Sequence, residues 1–371
     1  MNSIGIITLY DDNNIGNKLQ NYAVQAFFSS LGYRCETIQH YEMVHKPLTL
    51  QTIKLGLIRL IGFPRNSSRK LRLGKIRRKV FKKFSEQYIQ LGPVVSYEHL
   101  PAGLCDQYDY FVTGSDQVWH NWTHSKAEID YFMLQFAREN QRLTMSPSFG
   151  FKTVDEHFRG DYIRGLQGIP VITCREQDGA EIVKELTGKH AYVLLDPTML
   201  IDTEKWIDIE KKSEFPSPER FILVYALGEM PEEVRAWINE TAAARGMGVI
   251  DILDPSNEEL YMTTPDEFIY FIHHAELVVT DSFHASVFSI LLKRPFVVFD
   301  RTTASMGDMS SRLQTLLETF SLHDRRYGVC KDAFQVDYSS VDEVLRRERE
   351  RAAVIYRDTI LYLNNLSIKA T

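Results

Sequence analysis

The chain contains no apolar run of about 18 residues, the length a membrane-spanning helix needs. Its first residues, Met-Asn-Ser-Ile-Gly-Ile-Ile-Thr, carry neither a basic n-region nor a cleavage site, and read as a first core strand rather than a secretory leader. Cysteine is scarce. Cys35, Cys105, Cys174 and Cys330 are widely scattered, with no CxxC pair and no zinc spacing. That pattern excludes a disulfide framework and implies reduced thiols in a cytoplasmic protein with no bound metal. Neither a GxGxxG nor a Walker A motif is present, which weakens dinucleotide and nucleoside-triphosphate readings. The net charge of −6 gives no electrostatic footprint for nucleic acid.

What is there fits a soluble chain of two ordinary domains: 371 residues, 44% apolar and 25% charged. One stretch breaks the even charge distribution. Residues 54–83 hold many lysines and arginines and no acidic residue, with Leu55, Leu57, Ile58, Leu60, Ile61 and Phe63 at the front. This marks an insertion at about 52–84, which reads either as a solvated segment or as a peripheral contact with anionic lipid at the inner face of the membrane.

The remainder alternates between short apolar runs and amphipathic stretches. Residues 4–9 form a strand, and a polar loop with Asn13, Asn14, Gly16 and Asn17 leads into a helix striped by Leu19, Tyr22, Ala23, Ala26 and Phe27. Gly32 ends that helix and residues 35–38 resume as strand, a crossover that demands a parallel sheet. Further strands are predicted at 108–113, 143–146, 171–174 and 192–195, and again at 221–227, 249–253, 277–280 and 296–299. Thr264-Pro265-Asp266-Glu267 opens a helix with a capping box, and Ser310-Ser311 caps another. The fold class that follows is α/β, with two Rossmann-like doubly wound domains facing a cleft. Their limits are residues 1–210 and 219–340, joined by the proline-bearing stretch 211–220, and a charged helix occupies residues 341–371.

Ligands of open parallel sheets bind beyond the carboxyl ends of the strands. Five such junctions carry polar groups. The first loop offers Asn14, Gly16 and Asn17; the second is Gly114-Ser115-Asp116-Gln117-Val118-Trp119, where Gln117 and Trp119 add hydrogen-bonding and stacking groups for a sugar. Arg175 follows a strand as a cleft cation, or else as half of a surface ion pair with Glu176 or Asp178. Asp196-Pro197-Thr198 reads as a structural turn. The most specific junction is Thr280-Asp281-Ser282-Phe283-His284, where a helix start leaves free N–H groups beside a histidine able to exchange a proton near neutrality. His120, His124, His157, His273 and His274 have no such setting.

The order of motifs Asn13 to Gln20, Gly114 to Trp119, Ser148 to Gly150, Arg175-Glu176, Asp196 to Thr198, Thr280 to His284 and Ser311 to Leu313 resembles the polysaccharide pyruvyl transferase family over most of the chain. The resemblance implies a fold similar to GT-B glycosyltransferases. It also implies transfer of the pyruvyl group of phosphoenolpyruvate to two sugar hydroxyls as a cyclic ketal, with release of phosphate, in capsule or exopolysaccharide synthesis. Phosphoenolpyruvate would be the donor substrate, a free or lipid-linked saccharide the acceptor, and no cofactor is implied. By this resemblance Arg175 and His284 meet the donor, with Ser282 and Phe283 beside them. Where relatives often read Arg-Leu-His, the chain has Ser282-Phe283-His284, so Arg301, Arg312 or Arg294 is expected to supply the missing cation. Asp116 or Asp281 is expected as the base, and Asn14, Gly16, Asn17, Gly114, Ser115, Gln117 and Trp119 are expected to face the acceptor. Two other readings remain open from the residues: a GT-B glycosyltransferase using a nucleotide sugar, and a non-catalytic glycan-binding protein.

Overall fold

A computed structural model describes residues 2–10, 13–40, 65–301 and 309–370. Among them, every strand pair runs parallel. The first strand, β1 (Ser3–Ile7), is buried along its whole length, as expected of a strand covered on both faces. The helix Ile15–Ser30 follows, capped by Asn14, whose Oδ1 accepts from the Asn17 N–H at 3.2 Å. Strands β2 (Arg34–His40), β3 (Leu91–Val95), β4 (Tyr110–Thr113) and β5 (Arg142–Thr144) complete a sheet of order β3-β2-β1-β4-β5.

The pair β6 (Ile172–Cys174) and β7 (Ala191–Val193) continues this sheet without a backbone ladder. Threonine side chains replace it. The Thr173 N–H donates to Thr144 Oγ1 at 2.7 Å, Thr173 Oγ1 donates to the Thr144 carbonyl at 2.9 Å, and the Ser146 N–H donates to Thr173 Oγ1 at 3.0 Å.

The second unit holds β8 (Phe221–Tyr225), β9 (Gly248–Asp251), β10 (Leu277–Thr280) and β11 (Phe296–Val298), in the order β11-β10-β8-β9. The capping box at Thr264 forms: the Thr264 N–H donates to Glu267 Oε2 at 3.0 Å, and the Glu267 N–H donates to Thr264 Oγ1 at 3.4 Å. The helix expected to be capped at Ser310-Ser311 instead runs from Met309 to Thr319, so both serines lie inside it. The chain is therefore α/β with two Rossmann-like units, as the alternation of elements required.

The two units share their apolar interior. Trp206 is fully buried, 5.3 Å from the Tyr22 ring and 4.9 Å from Phe288, and so ties the first crossover helix to the helix that follows β10. The C-terminal helix Val341–Ala370 returns to the first unit with Val341, Leu345, Ala352, Tyr356, Ile360 and Leu363 as its buried stripe. Tyr356 packs against Phe27 and Phe28 and donates to the Thr144 carbonyl at 3.0 Å.

Residues 41–64, which include the apolar front of the basic stretch, lie outside the described residues. From Arg65 the stretch is part of a helix, Arg65–Tyr88, that buries Leu73, Phe81 and Phe84. Arg77 is buried too; it donates to the Tyr261 carbonyl and lies over the Phe81 and Tyr261 rings. Arg72 pairs with Glu258 at 2.7 Å. Part of the positive charge thus docks this helix on the second unit, while Lys75, Arg78, Lys79, Lys82 and Lys83 face outward. Among the described residues no helix is long and apolar enough to cross a membrane.

Candidate functional site

The carboxyl ends of β4, β6, β7 and β10 converge on one place. Beyond β4, Gly114 has φ +116°, and a Cβ there would stand 2.3 Å from the Met145 carbonyl oxygen, so a side chain is excluded. Asp116, two residues on, holds φ +69°, a conformation that non-glycine residues keep only when their surroundings impose it. Here they do. Its carboxylate accepts from Asn17 Nδ2, from the Gln117 N–H at 3.0 Å and from Arg175 Nη2 at 3.4 Å, while its carbonyl accepts from the Val118 and Ser148 N–H groups, each at 2.8 Å.

Arg175 follows β6 and is 3% exposed. Its Nη1 donates to Asp196 Oδ2 at 2.8 Å and its guanidinium lies over the Phe283 ring, 4.5 Å from the centroid. Its Glu176 contact is a long 4.0 Å, and Asp178 faces Lys152 instead, so the surface-pair reading does not hold. Asp196, at the end of β7, is the hub. It is 1% exposed; Ser115 Oγ donates to its Oδ2 at 3.0 Å, and Thr198 donates through N–H and Oγ1 to its Oδ1 at 3.0 and 2.7 Å. Burial alone would lift its carboxyl, yet His284 and Arg175 outweigh that and hold it below the usual carboxylate range. Glu176 goes the other way: burial pushes it up, and Arg175 and Arg312 only partly oppose this.

On the opposite wall, Ser282 is the N-cap of the helix Phe283–Leu291, its Oγ accepting from the Ala285 N–H at 3.4 Å. His284 sits in the first turn, 8% exposed, with Nε2 3.8 Å from Asp196 Oδ2 and no hydrogen-bond partner among the described residues. Burial depresses its imidazole below the ordinary value, with Asp196 and Asp116 pulling only partly upward. The ring rests directly on Gly16: a Cβ there would be 2.2 Å from His284 Nδ1. The first loop and the β10 junction, 268 residues apart, therefore meet.

Asp281 suits the role of base less well than Asp116, its side chain being 1% exposed against 10%. Both its oxygens are engaged, by the Leu227 and Gly228 N–H groups at 2.7 Å each and by Arg301 Nε at 2.5 Å. It anchors Arg301 and the end of β8. Of the three arginines expected to replace the missing cation, Arg301 is thereby committed to Asp281, and Arg294 lies about three helical turns from His284, beyond the far end of the helix. Arg312 is different. It is 4% exposed, and its Nε and Nη2 have no partner among the described residues. Burial first, then the nearby Arg175, pulls its guanidinium down to about 10. With Arg175, Asp196 and Phe283 it lines a cavity of about 380 Å³.

The residues expected to face an acceptor mostly support the site from behind. Trp119 is 1% exposed, packs on Phe149 at 4.9 Å and donates from Nε1 to the Phe132 carbonyl, so it is core and no stacking surface. Ser115 and Gly114 are buried, Asn17 holds Asp116, and Asn14 caps its helix. Gln117 is partly exposed. Beside it stands an aromatic not singled out from sequence: Trp122, 49% exposed, which donates from Nε1 to the Gln117 carbonyl at 3.0 Å and lies on the His120 ring at 4.1 Å. Asp196 was legible only as a turn; the rule that points to strand ends in a parallel sheet applied to it equally.

No curated protein matches this chain in sequence. Solved structures of similar outline include the UDP-N-acetylglucosamine 2-epimerase of Neisseria meningitidis bound to its nucleotide sugar, at 12% identity and TM-score 0.45 over 98% of this chain and 100% of that one. The corresponding epimerase of Methanocaldococcus jannaschii gives 11% and 0.45 over 93% and 98%, and a spinosyn rhamnosyltransferase gives 10% and 0.40 over 97% and 99%. Scores this low describe a general outline and no more. The polysaccharide pyruvyl transferase model, in contrast, matches residues 14–303 and takes in every strand-end residue of the site, though not Arg312 of the helix Met309–Thr319, and the chain belongs to that family.

Proposed function

We propose that this protein transfers the pyruvyl group of phosphoenolpyruvate to two hydroxyls of one sugar residue in a capsule or exopolysaccharide repeat, free or lipid-linked. The observation that carries this reading is Arg312, a buried guanidinium with two unsatisfied nitrogens that lines one cavity with Arg175 and acts electrostatically on His284. A buried cation in that state calls for an anion. Phosphoenolpyruvate brings one carboxylate and a phosphate of roughly −1.5 to −2. Arg312, His284 and the first backbone N–H groups of the helix Phe283–Leu291 receive it. Arg175, already tied to Asp196 and Asp116, sets the field around them.

His284 is neutral in the free site because it is buried, and a docked polyanion favours its protonated form. The imidazolium gives a proton to the methylene carbon of the donor. The first sugar hydroxyl adds to the adjacent carbon, losing its proton to Asp116. The second hydroxyl then bonds to the same carbon as the bond to the phosphate oxygen breaks. Two C–O bonds form and one breaks; one hydroxyl proton replaces that delivered to carbon and the other departs with phosphate.

Incubation with phosphoenolpyruvate and galactose-, mannose- or N-acetylmannosamine-type acceptors tests the reading. Phosphate release coupled to a mass gain of one pyruvate less one water is expected. Absence of both signals across a broad acceptor panel would refute it.

A further inference from the structure

The cavity at Arg312 is not closed by the two Rossmann-like units alone. One wall is the C-terminal helix, which places Arg347 and Arg351 at its rim. This helix lies wholly beyond the family-matched segment, as does Arg312. Its position is set next to the site: Arg349 donates from Nε to the Met199 carbonyl at 2.9 Å and from Nη2 to the Ile201 carbonyl at 2.6 Å, just past the Asp196 turn. The floor and the rim differ in kind. Arg175 and Arg312 are buried, whereas the side chains of Arg347 and Arg351 are 59% and 44% exposed. Glu348, between the rim arginines, accepts from Arg347 Nε at 3.2 Å and from Arg351 Nη1 at 3.0 Å, and so holds both beside the opening. Four arginines (175, 312, 347, 351) thus line the cavity against three carboxylates (196, 318, 348); among the described residues Arg312 has two nitrogens unsatisfied and Arg175 one.

We propose, resting on the donor reading above, that the C-terminal helix is part of the donor site. Arg347 and Arg351 bind the phosphoryl end of the donor whose charge Arg312 receives, and they hold inorganic phosphate before it leaves. The arrangement supplies the cation that Ser282 does not, from a part of the chain remote from the motif. Glu348 keeps the rim arginines in place until phosphate competes for them.

Calorimetric titration of the full chain separates the possibilities, with inorganic phosphate, phosphoenolpyruvate and pyruvate as probes. The proteins compared are the wild type, the double variant Arg347→Gln/Arg351→Gln, Arg312→Gln, and Leu361→Gln as a control on an exposed position of the same helix. The double variant should weaken phosphate and phosphoenolpyruvate about tenfold or more, the usual loss for charge-assisted hydrogen bonds. Pyruvate binding and the control should match wild type. Phosphate bound equally well by wild type and double variant overturns the role of the helix; if phosphoenolpyruvate still depends on Arg312, the donor reading stands. Arginine-dependent binding of phosphate without any binding of phosphoenolpyruvate overturns the donor reading and leaves the cavity as an anion site. If wild type binds neither, both fall.

Discussion

The two walls of the cleft carry opposite chemistry. The first unit contributes carboxylates at its strand ends, Asp116, Glu176 and Asp196, gathered around the single cation Arg175. The second contributes the cation Arg312 and the imidazole of His284, both with unsatisfied nitrogens among the described residues, while Arg301 is paired in place with Asp281. By hydrogen bonds the first wall is largely balanced, with Arg175 Nε and Glu176 Oε2 lacking partners among the described residues; the other has unmet demand for negative charge. A buried charge is tolerated when paired and costly when not, so the balanced wall stabilises the fold and the unbalanced wall is kept for a ligand. Under the proposed function the anionic donor lies against the second unit and the hydroxyl to be deprotonated against the first.

That contrast can be broken experimentally. The largest effect expected is on turnover: His284→Ala should lower it by about 10²–10⁴, the range for a positioned proton donor, with thermal unfolding close to wild type. Near-normal steady-state rates would remove His284 from the chemistry. On the balanced wall the loss should be of stability. Asp196→Ala leaves Arg175 buried beside one weaker partner and should cost about 3–5 kcal/mol in urea unfolding. A change below about 1 kcal/mol would mean that the ion cluster is solvated and the two walls are not distinct.

The two aspartates once equal as candidate bases offer a sharper comparison. Asp281→Asn gives up charge-assisted bonds to two N–H groups and Arg301, so its cost, about 1.5–3 kcal/mol, should appear in stability. Asp116→Asn should lower kcat more than it lowers stability. The reverse outcome in paired melting and rate measurements would exchange their roles.

Acid should act first through His284. Its folded value lies below the ordinary imidazole value of about 6.5, so below that pH the unfolded chain binds the extra proton and stability falls as pH falls. His284→Gln should flatten this part of the curve. Asp196 is depressed in the folded state, so its contribution is retained above the ordinary carboxylate value and lost only in stronger acid. The smallest effect is expected from Arg312→Gln: unchanged or slightly raised melting temperature without donor, because a desolvated cation is removed, together with a higher KM for phosphoenolpyruvate. A clear loss of stability would show that Arg312 is satisfied internally.

Much of the frame was legible in the residues. Apolar runs bounded by glycine and asparagine located the strands, and the capping box at Thr264 formed as its spacing required. The site was legible as a set of junctions but not as a set of roles. Gly114-Ser115-Asp116-Gln117-Val118-Trp119 reads as one polar loop, yet its residues divide. Asp116 is held in a left-handed conformation by Asn17 and Arg175, while Trp119 turns into the core against Phe149. Trp122, three residues further on, remains at the surface.

By itself the sequence determined what depends on neighbours along the chain: helix periodicity, caps, strand alternation, and hence the α/β class with ligands at strand ends. Only the tertiary structure decided which charges are cancelled. Asp116 meets Asn17 and Arg175, 99 and 59 positions away, and Arg312 Nε and Nη2 find no partner among the described residues, with Glu176 and Asp116 acting on it only through space. The reason is physical. Electrostatic and desolvation terms depend on distance and burial in space, and neither is encoded by spacing along the chain.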